Sequence, residues 1–366
     1  MRVVVYHSEC ADGIMCAYLM NKAYNFQDAP LYDAQSTLMF PGQYSRDAKE
    51  EIFKFFQSLS KQCKDTGAYF PHVPATKGEC EPGYYHFDGA LLKLASVDLI
   101  LADFSFSRAT VELLLENCHS VTLLDHHKSA IEDLQPLVGH PNFHMEMSTI
   151  RECGAMIVDR YIRALVSFRL GEDGRPVHPL LRHIDDYDRW THYDERSMPL
   201  VTALYSYDFK IQARRTLDYD FGEIGEALEK SVDELVAAGE HILRNKRKQA
   251  AKYVEGAWRC IEFGGGKIPV INCPADLASM VAGDIAKITG VAITYMSLPD
   301  RVIFSVRSSG EVDCTFVAKS LSGGKGGGHK GAAGFSLDID EAFHNAGAVS
   351  VERPNSQWRK DLTSKK

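Results

Sequence analysis

Residues 97–127 read VDLILADFSFSRATVELLLENCHSVTLLDHH. The segment contains an apolar run at 97–102, a run with helical spacing of apolar residues at 107–116, and a second apolar run at 120–124. These lengths and spacings predict a strand, a helix and a second strand. Because two strands joined by a helix lie side by side in parallel, the segment predicts a parallel sheet in an α/β fold.

Polar residues follow each of these two strands directly. Asp103 comes after the first strand, and Asp125, His126 and His127 come after the second. In open parallel sheets, ligands bind outside the carboxyl ends of the strands. The sequence therefore predicts a functional site at this edge of the sheet.

The chain begins with a similar unit. Residues 1–6 predict a buried strand and residues 13–25 predict a helix. His7 and Asp12 lie in the loop between them. We expect both side chains at the same edge of the sheet as Asp103.

The length predicts more than one domain. At 366 residues the chain exceeds what one hydrophobic core usually serves, so two domains are expected. We predict an N-terminal parallel-sheet domain, a helical connector and a smaller C-terminal α/β domain, with a cleft between the domains. The expected bounds are 1–220 for the first domain with a turn-rich insertion at about 44–92, 221–254 for the connector, 255–349 for the second domain, and 350–366 for a polar tail.

Composition excludes several classes of protein. No apolar run approaches the roughly 20 residues that cross a bilayer, and the N-terminal residues show no signal-peptide pattern, so we expect a cytoplasmic protein without a membrane partner. Nine scattered cysteines without a CxxC pair favour reduced thiols. The net charge of −8 argues against long nucleic acid as a partner, because such partners need clustered Lys and Arg. A homodimer is left open.

Five residues at predicted strand ends or loops combine carboxylates with imidazoles, namely His7, Asp12, Asp103, His126 and Asp186. This mixture suits Mn²⁺ better than Ca²⁺ or structural Zn²⁺. Each residue alone also fits an ordinary role, since a single aspartate at a strand end usually caps a helix or a turn. The adjacent pair His126 and His127 could likewise belong to a solvated loop.

A second cluster lies in the predicted C-terminal domain. Gly326, Gly327 and Gly328 precede His329, and glycines allow backbone N–H groups to approach an anion closely. We expect a helix to begin beside them. A flexible loop is the alternative interpretation of this run.

Seven segments together resemble the DHH-type phosphoesterase superfamily, in the branch that carries a DHH-associated C-terminal domain. They are YHSECADGIMCAYL (6–19), DLILADFSFS (98–107), LLDHHKSA (123–130), ECGAMIVDRYI (152–162), HIDDYDRW (183–190), SVRSSGEVD (305–313) and GGGHKGAAGF (326–335). The resemblance covers roughly residues 1–340, and the segments occur in the order of the family.

The resemblance implies two adjacent divalent metal ions, Mn²⁺ first with Mg²⁺ or Co²⁺ as alternatives, and a role for each matching residue. The implied metal ligands are His7, Cys10, Asp12, Asp103, His126 and Asp186, with Asp103 bridging the two ions. His127 would face the scissile phosphate and Asp125 would orient His126, as the catalytic pair. The implied substrate-binding residues are Arg307, Ser308, Gly326, Gly327, Gly328 and His329; for Arg307 a surface salt bridge is the alternative.

Two assignments stay open at this point. Many family members have an aspartate where this chain has Cys10, so Cys10 is either a thiolate ligand or a buried small side chain. Asp185, Asp186 and Asp188 compete for the last ligand role. Alignment to the family motif favours Asp186, and Asp188 would then cap a helix or pair with a basic side chain.

The function implied is hydrolysis of phosphodiester or phosphomonoester bonds in short oligonucleotides, dinucleotides or small phosphorylated nucleotides. An inorganic pyrophosphatase or exopolyphosphatase is the enzymatic alternative, and the GGGH run argues against it. A non-catalytic nucleotide-binding sensor on the same scaffold is the alternative from another class.

Overall fold

The computed structural model describes most of both halves of the chain. The described residues are 2–8, 10–24, 37–42, 84–87, 90–93, 97–147, 152–171, 176–213, 219–256, 258–324, 326–339 and 350–352. Most of the predicted insertion at 44–92 lies outside them. From its end, β3 (Tyr84–Phe87) and β4 (Ala90–Lys93) form an antiparallel pair.

Contacts divide the chain into two compact units. The first consists of Met1–His126 and Ala130–Glu240, and the second of His127–Ser129 and His241–Lys366. The domain bounds given above, and the cleft, stay predictions.

A five-stranded parallel sheet forms the centre of the first unit. Its strands are β1 (Arg2–His7), β2 (Thr37–Gly42), β5 (Asp98–Ala102), β6 (Ser120–Asp125) and β7 (Phe143–Met147), in the order β2-β1-β5-β6-β7. The chain moves from β1 to one side and later returns to the other side of β1. The strand order therefore reverses between β1 and β5, and such a switch point opens a crevice at the carboxyl ends of the two strands.

Helices cover both faces of this sheet. They are α1 (Ala11–Tyr24), α2 (Arg108–Asn117), α3 (Lys128–Leu134), α4 (Gly154–Leu170), α5 (Leu181–Asp188) and α6 (Ser197–Leu204), with a 3₁₀ turn at Gln135–Leu137 and a short antiparallel pair of β8 (Gln212–Ala213) and β9 (Tyr219–Asp220). Alternate strand residues enter opposite cores. Val4 and Ile100 pack in the core that contains α1 and α4, whereas Val5 and Leu99 pack in the core that contains α2. This double coverage explains why the strands read as continuous apolar runs.

The predicted helical run at 221–254 is two helices, α7 (Gly222–Leu228) and α8 (Val232–Val254). Ser231 and Glu234 form a reciprocal cap that starts the second helix. The Ser231 backbone N–H donates to Glu234 Oε2 at 2.9 Å, and the Glu234 N–H donates to Ser231 Oγ at 3.3 Å. This capping box satisfies backbone groups at the helix start, so a new helix begins there.

A mixed seven-stranded sheet forms the centre of the second unit. Its strands are β10 (Trp258–Phe263), β11 (Gly266–Asn272), β12 (Val291–Ser297), β13 (Arg301–Ser308), β14 (Gly327–Gly328), β15 (Ala332–Asp338) and β16 (Ser350–Glu352), in the order β14-β15-β13-β12-β11-β10-β16. Only β11 and β12 pair in parallel among these described strands. The helices are α9 (Ala275–Thr289) and α10 (Cys314–Leu321).

The predicted α/β class, with an N-terminal parallel sheet and a second α/β region, is confirmed. Two details differ from expectation. Strand β11 was not predicted, and residues 350–352, expected in the polar tail, form β16 against β10. Among the described residues, no helix combines the length and apolar character that crossing a membrane requires.

Candidate metal centre

Strand ends bring the polar side chains together at the predicted edge. His7 is the last residue of β1, Asp103 follows β5 directly, and Asp125 ends β6. His7 and Asp103 therefore lie on the two sides of the switch point between β1 and β5. The fold places the first candidate ligands where an open parallel sheet binds its ligand.

Asp103 occupies an unusual backbone conformation. Its φ is 53°, in the left-handed region that non-glycine residues seldom adopt, and its N–H donates to the Leu124 carbonyl at 2.9 Å. The side chain is buried, at 1% exposure. Strain of this kind persists where the surroundings hold it, and it is common at functional sites.

The two carboxylate oxygens of Asp103 face different groups. Oδ2 accepts a hydrogen bond from Cys10 Sγ at 3.1 Å and lies 3.7 Å from His7 Nδ1. Oδ1 lies 3.2 Å from His126 Nε2. Asp103 is thus shared between two sets of candidate ligands.

The first set consists of His7, Cys10 and Asp103, whose ligand atoms all lie within 4.8 Å of one another. Cys10 Sγ is 3.1 Å from His7 Nδ1 and accepts the Gly13 backbone N–H at 3.2 Å. The structure therefore brings Cys10 into the cluster beside the predicted ligands. Whether it ligates a metal stays a prediction.

The second set consists of Asp12, His126 and Asp188, which satisfy the same 4.8 Å criterion. His126 Nε2 lies 3.6 Å from Asp12 Oδ2 and 3.3 Å from Asp188 Oδ2. All three side chains come from different elements: the first turn of α1, the loop after β6, and the last residue of α5.

The start of α4 fixes Asp12. The N–H groups of Gly154 and Ala155 donate to its two carboxylate oxygens, each at 2.8 Å. These donors are among the N–H groups that a helix leaves without an internal partner. Gly154 also lies close to Asp103, because a Cβ atom at position 154 would come within 2.5 Å of the Asp103 Cβ.

The cluster is electrostatically suited to a cation. Burial, followed by repulsion from Asp103 and Asp188, raises the pKa of Asp12 well above its usual value. Burial alone would lower the pKa of His126, but the carboxylates of Asp103, Asp188 and Asp12 raise it to about 10. Buried carboxylates that repel one another and attract a cation, together with imidazole and thiol, form a donor set that fits divalent transition metals.

The structure separates the three aspartates of α5 that the sequence left in competition. Asp186, the predicted ligand, directs its carboxylate into the following loop, where it accepts hydrogen bonds from Thr191 Oγ1 at 2.6 Å and from the N–H groups of Tyr193 and Asp194 at 2.8 and 3.1 Å. These bonds hold the pKa of Asp186 below its usual value although burial opposes them.

Asp188, predicted to cap a helix or pair with a basic side chain, lies in the second set, 3.3 Å from His126 Nε2. Asp185 accepts the Cys153 N–H at 2.7 Å and pairs with Arg189 at 3.0 Å. The geometry therefore places Asp188, rather than Asp186, among the candidate ligands of the second set, and which of the two ligates a metal stays a prediction. The sequence carries no direct signal for this, because the three carboxylates differ only in their direction around one helix.

The proposed catalytic pair, Asp125 and His127, lies at the end of β6 and in the loop that follows it. Asp125 is fully buried, and its Oδ1 accepts the backbone N–H of His126 at 2.8 Å; its predicted contact with the His126 ring stays a prediction. His127 is half-buried and belongs to the second unit. Its role toward a phosphate likewise stays a prediction.

In the second unit, Arg307 is half-buried and held from two sides. Its Nη2 donates to Ser279 Oγ at 2.6 Å, and its Nη1 donates to the Val306 carbonyl at 2.9 Å. Ser308 is buried and donates its hydroxyl to the Val312 carbonyl at 2.7 Å.

The glycine run is a hairpin rather than the start of a helix. Gly327 and Gly328 form β14 against β15, after α10 has ended. Gly328 has φ +132°, and a Cβ there would lie 2.6 Å from the Ala332 oxygen; at Gly326 it would lie 2.6 Å from the Ala318 carbonyl carbon. Close backbone packing therefore requires these glycines. His329 forms the turn, with its N–H donating to the Ala332 carbonyl at 2.7 Å.

Residues 268–349 match the family model of the DHHA1 domain. This part of the chain is a DHHA1 domain. The match confirms the predicted resemblance to the DHH-type phosphoesterase superfamily, to which the DHH-associated domain belongs. Within it lie Arg307, Ser308 and the Gly326–His329 run, the predicted substrate-binding residues.

Other similarities are more distant. The uncharacterized protein R106 of Acanthamoeba polyphaga mimivirus is 21% identical over 347 residues, which are 92% of this chain and 67% of that protein. RecJ from Thermus thermophilus, solved in complex with Mn²⁺, is 16% identical with a TM-score of 0.48, covering 94% of this chain and 52% of that one. The pGpG-specific phosphodiesterase PggH from Vibrio cholerae is 12% identical with a TM-score of 0.37, covering 95% and 96%. Both TM-scores lie below 0.5, so neither structure bears on the function of this chain.

Proposed function

We propose that this protein is a two-metal phosphoesterase that hydrolyses phosphate esters of short oligonucleotides, dinucleotides or small phosphorylated nucleotides. One observation carries the proposal: the two oxygens of Asp103 face two separate sets of candidate ligands. A carboxylate shared in this way is what a pair of adjacent metal ions requires. The DHHA1 domain supports the same class of reaction.

The proposed ligands are His7, Cys10 and Asp103 for one ion, and Asp12, Asp103, His126 and Asp188 for the other. Mn²⁺ suits this mixture of carboxylate, imidazole and thiol, with Mg²⁺ or Co²⁺ as alternatives. When bound, such ions activate a water nucleophile and neutralise the charge that develops on the phosphoryl oxygens.

The remaining residues hold and polarise the substrate. His127 donates a hydrogen bond to a phosphoryl or leaving-group oxygen, which strengthens as charge develops there. Asp125 accepts the backbone N–H of His126 and so holds this residue at the end of β6. Ser279 and the Val306 carbonyl set the plane of the Arg307 guanidinium, whose fork suits a phosphate.

The net charge supports a small substrate. A chain with a formal charge of −8 gains little from releasing the counterions of a long nucleic acid. A mononucleotide or dinucleotide needs only a few directed cationic contacts. We therefore place the substrate among small nucleotides.

The test is a hydrolysis screen with the full-length protein loaded with Mn²⁺, using a linear dinucleotide, a cyclic dinucleotide, adenosine bisphosphate and pyrophosphate. We expect the wild type to release mononucleotide or phosphate from a nucleotide ester. Asp103→Asn should lose both this turnover and the bound metal. Asp98→Asn, at the opposite end of the same strand, is the matched control and should retain turnover.

The outcomes separate the alternatives. Preferred hydrolysis of pyrophosphate would favour the pyrophosphatase alternative. Tight Mn²⁺ binding without turnover of any ester would favour a nucleotide-binding sensor.

A further inference from the structure

Four aromatic side chains form a cluster at the end of α5, here called the aromatic platform: Tyr187, Trp190, His192 and Tyr205. The Trp190 and His192 rings are 4.4 Å apart between centroids, and Tyr187 lies 6.1 Å from Trp190, 6.4 Å from His192 and 6.2 Å from Tyr205. These are ordinary contact distances for aromatic pairs.

The platform adjoins the candidate metal centre at two points. Asp188, whose carboxylate lies 3.3 Å from His126 Nε2, stands in the chain between Tyr187 and Trp190. Tyr205, whose ring lies 6.2 Å from the Tyr187 ring, is also near Cys10 of the first set, because Cys10 adds to burial in raising the pKa of its hydroxyl. Tyr187 and Tyr205 thus connect the platform to the candidate ligands, and all of these residues belong to the first unit.

The loop that carries the platform is held in a strained shape. Trp190 and His192 have φ values of 58° and 52°, which bulky side chains rarely adopt. Asp186 stabilises this shape: its carbonyl accepts the N–H groups of Thr191 at 3.1 Å and His192 at 3.4 Å, in addition to the bonds that its carboxylate accepts. A loop built this rigidly presents its rings in one arrangement.

The rings are accessible as well as fixed. Tyr205 is 40% exposed, Trp190 and Tyr187 are half-buried, and His192 is exposed. Tyr187 also packs against the hydrophobic core that contains α1 and α4, which anchors the platform to the first unit.

We propose that the aromatic platform stacks against the nucleobase of the nucleotide whose phosphate ester reaches the metal centre. The inference rests on the proposed function and adds to it a base-binding subsite on the first unit. Aromatic faces bind any base by stacking, so the subsite favours nucleotides over phosphate compounds that have no base, without choosing strongly among bases.

Charge supports a base over a second phosphate as the occupant. Asp188 lies beside the platform, and the nearby Arg189 guanidinium is already paired with Asp185 at 3.0 Å. A neutral base needs no cation at this position, whereas a further phosphate would compete with Asp185 for the Arg189 guanidinium.

The test uses the whole chain with Mn²⁺, and calorimetric titration with AMP and with ribose 5-phosphate, which carries a hydroxyl in place of the base. We expect AMP to bind the wild type about tenfold or more tightly than ribose 5-phosphate, in line with the usual strength of base stacking. Trp190→Ala should remove most of this difference, and Trp190→Phe should restore it. Tyr193→Ala is the matched control, since Tyr193 follows in the same loop with its side chain 91% exposed.

An unchanged preference for AMP in Trp190→Ala would overturn the proposal that the platform binds a base. Equal binding of AMP and ribose 5-phosphate to the wild type would do the same. If Trp190→Ala proves unfolded by circular dichroism, the comparison of Trp190→Phe with His192→Ala decides instead, with loss of preference expected only in the latter. The two proposals fail separately. A base preference that depends on Trp190 without turnover of any ester would refute the phosphoesterase and keep the subsite, whereas turnover without the preference would do the reverse.

Discussion

Three aspartates of one helix use their carboxylates for different purposes. Asp185 accepts the N–H of Cys153 before α4, Asp186 organises the loop that follows α5, and Asp188 reaches His126. A helix turns its side chains by about 100° per residue, so neighbours in sequence point to different surroundings. Side-chain direction, rather than charge, is the reason we propose Asp188 as the ligand.

Exchanging these carboxylates for amides should therefore give different defects. Asp188→Asn should reduce Mn²⁺ content and lower kcat by about 10²-fold or more, the scale of losing one electrostatic group in an active site. Asp186→Asn should instead lower the free energy of unfolding by about 1–3 kcal/mol, because a buried network loses charged acceptors. Metal analysis and urea denaturation of both variants check this, and loss of metal in Asp186→Asn alone would restore Asp186 as the ligand.

Cys10 offers a test of the metal's chemistry. Its sulfur lies 3.1 Å from both His7 Nδ1 and Asp103 Oδ2, so a thiolate ligand fits the first set. Cys10→Ser should weaken one metal ion and shift preference toward harder ions such as Mg²⁺. Activation curves with Mn²⁺ and Mg²⁺ measure this. Superimposable curves for variant and wild type would mean that Cys10 is not a ligand, and Cys16→Ser, in the core on the following helix α1, controls for the change of atom.

At the scale of elements, the start of α4 is part of the site although it supplies no predicted ligand. Two of its N–H groups hold Asp12, and its first residue packs against Asp103. A side chain at position 154 would collide with a carboxylate that cannot move without leaving the cluster. The requirement for glycine there follows from the approach of the helix, not from the glycine's own backbone angles.

Gly154→Ala should consequently weaken metal binding although it replaces no proposed ligand. We expect at least about tenfold weaker Mn²⁺ binding, since the added methyl would displace Asp103, together with a loss of stability on the scale of an overpacked core, about 1–3 kcal/mol. Gly331→Ala, where a Cβ meets nothing within 4 Å, is the matched control and should behave as wild type. Calorimetric Mn²⁺ titration measures this effect. Normal affinity in Gly154→Ala would mean that the start of α4 shifts to accommodate the methyl group and leaves Asp103 in place.

Sequence predicted the elements better than the details between them. Apolar runs located β1, β5 and β6, because strands buried on both faces leave a continuous signal. The prediction of a single helix over 221–254 was wrong because the polar sequence pattern hides the capping box at Ser231. Local hydrogen bonds begin a second helix there. Strand β11 was missed because its lysine, proline and asparagine weaken the apolar pattern.

The candidate site shows the same division. Residues fixed to strand ends, such as His7 and Asp103, could be placed from order along the chain, because parallel strands end at one edge. Asp188 could not, since its direction depends on the turn of a short helix and on the loop that Asp186 builds. The helix start expected beside the glycine run was wrong, because close backbone packing in a hairpin demands the same residue type. The anion nest at this run stays a prediction.

At the scale of the whole molecule, the proposed roles are divided between two separately packed units. The candidate ligands belong to the first unit, and Arg307 and His329 belong to the DHHA1 domain. A reaction that needs both should lose different kinetic parameters when either side is altered. The division can therefore be tested by steady-state kinetics.

His127→Ala should lower kcat by about 10²-fold or more, because it removes an interaction that grows in the transition state, with a smaller effect on KM. Arg307→Ala should mainly raise KM for a dinucleotide and leave a minimal chromogenic phosphodiester nearly unaffected. Arg301→Ala, exposed at the other end of β13, controls for loss of a cation. Equal losses on both substrates in Arg307→Ala would mean that Arg307 acts at the scissile phosphate.

The two hydrogen bonds from the start of α4 to Asp12 have a spectroscopic consequence. The amide protons of Gly154 and Ala155 each donate to one oxygen of that carboxylate, at 2.8 Å. Their chemical shifts should therefore move when a diamagnetic ion such as Mg²⁺ binds Asp12, and their signals should broaden when paramagnetic Mn²⁺ replaces it. Both amides should also exchange slowly with deuterated solvent, since their acceptor is buried. A nitrogen-labelled sample would thus report occupancy of the centre from two backbone resonances, without a substrate and without mutation; shifts that stay constant through a Mg²⁺ titration would show that the ion binds elsewhere.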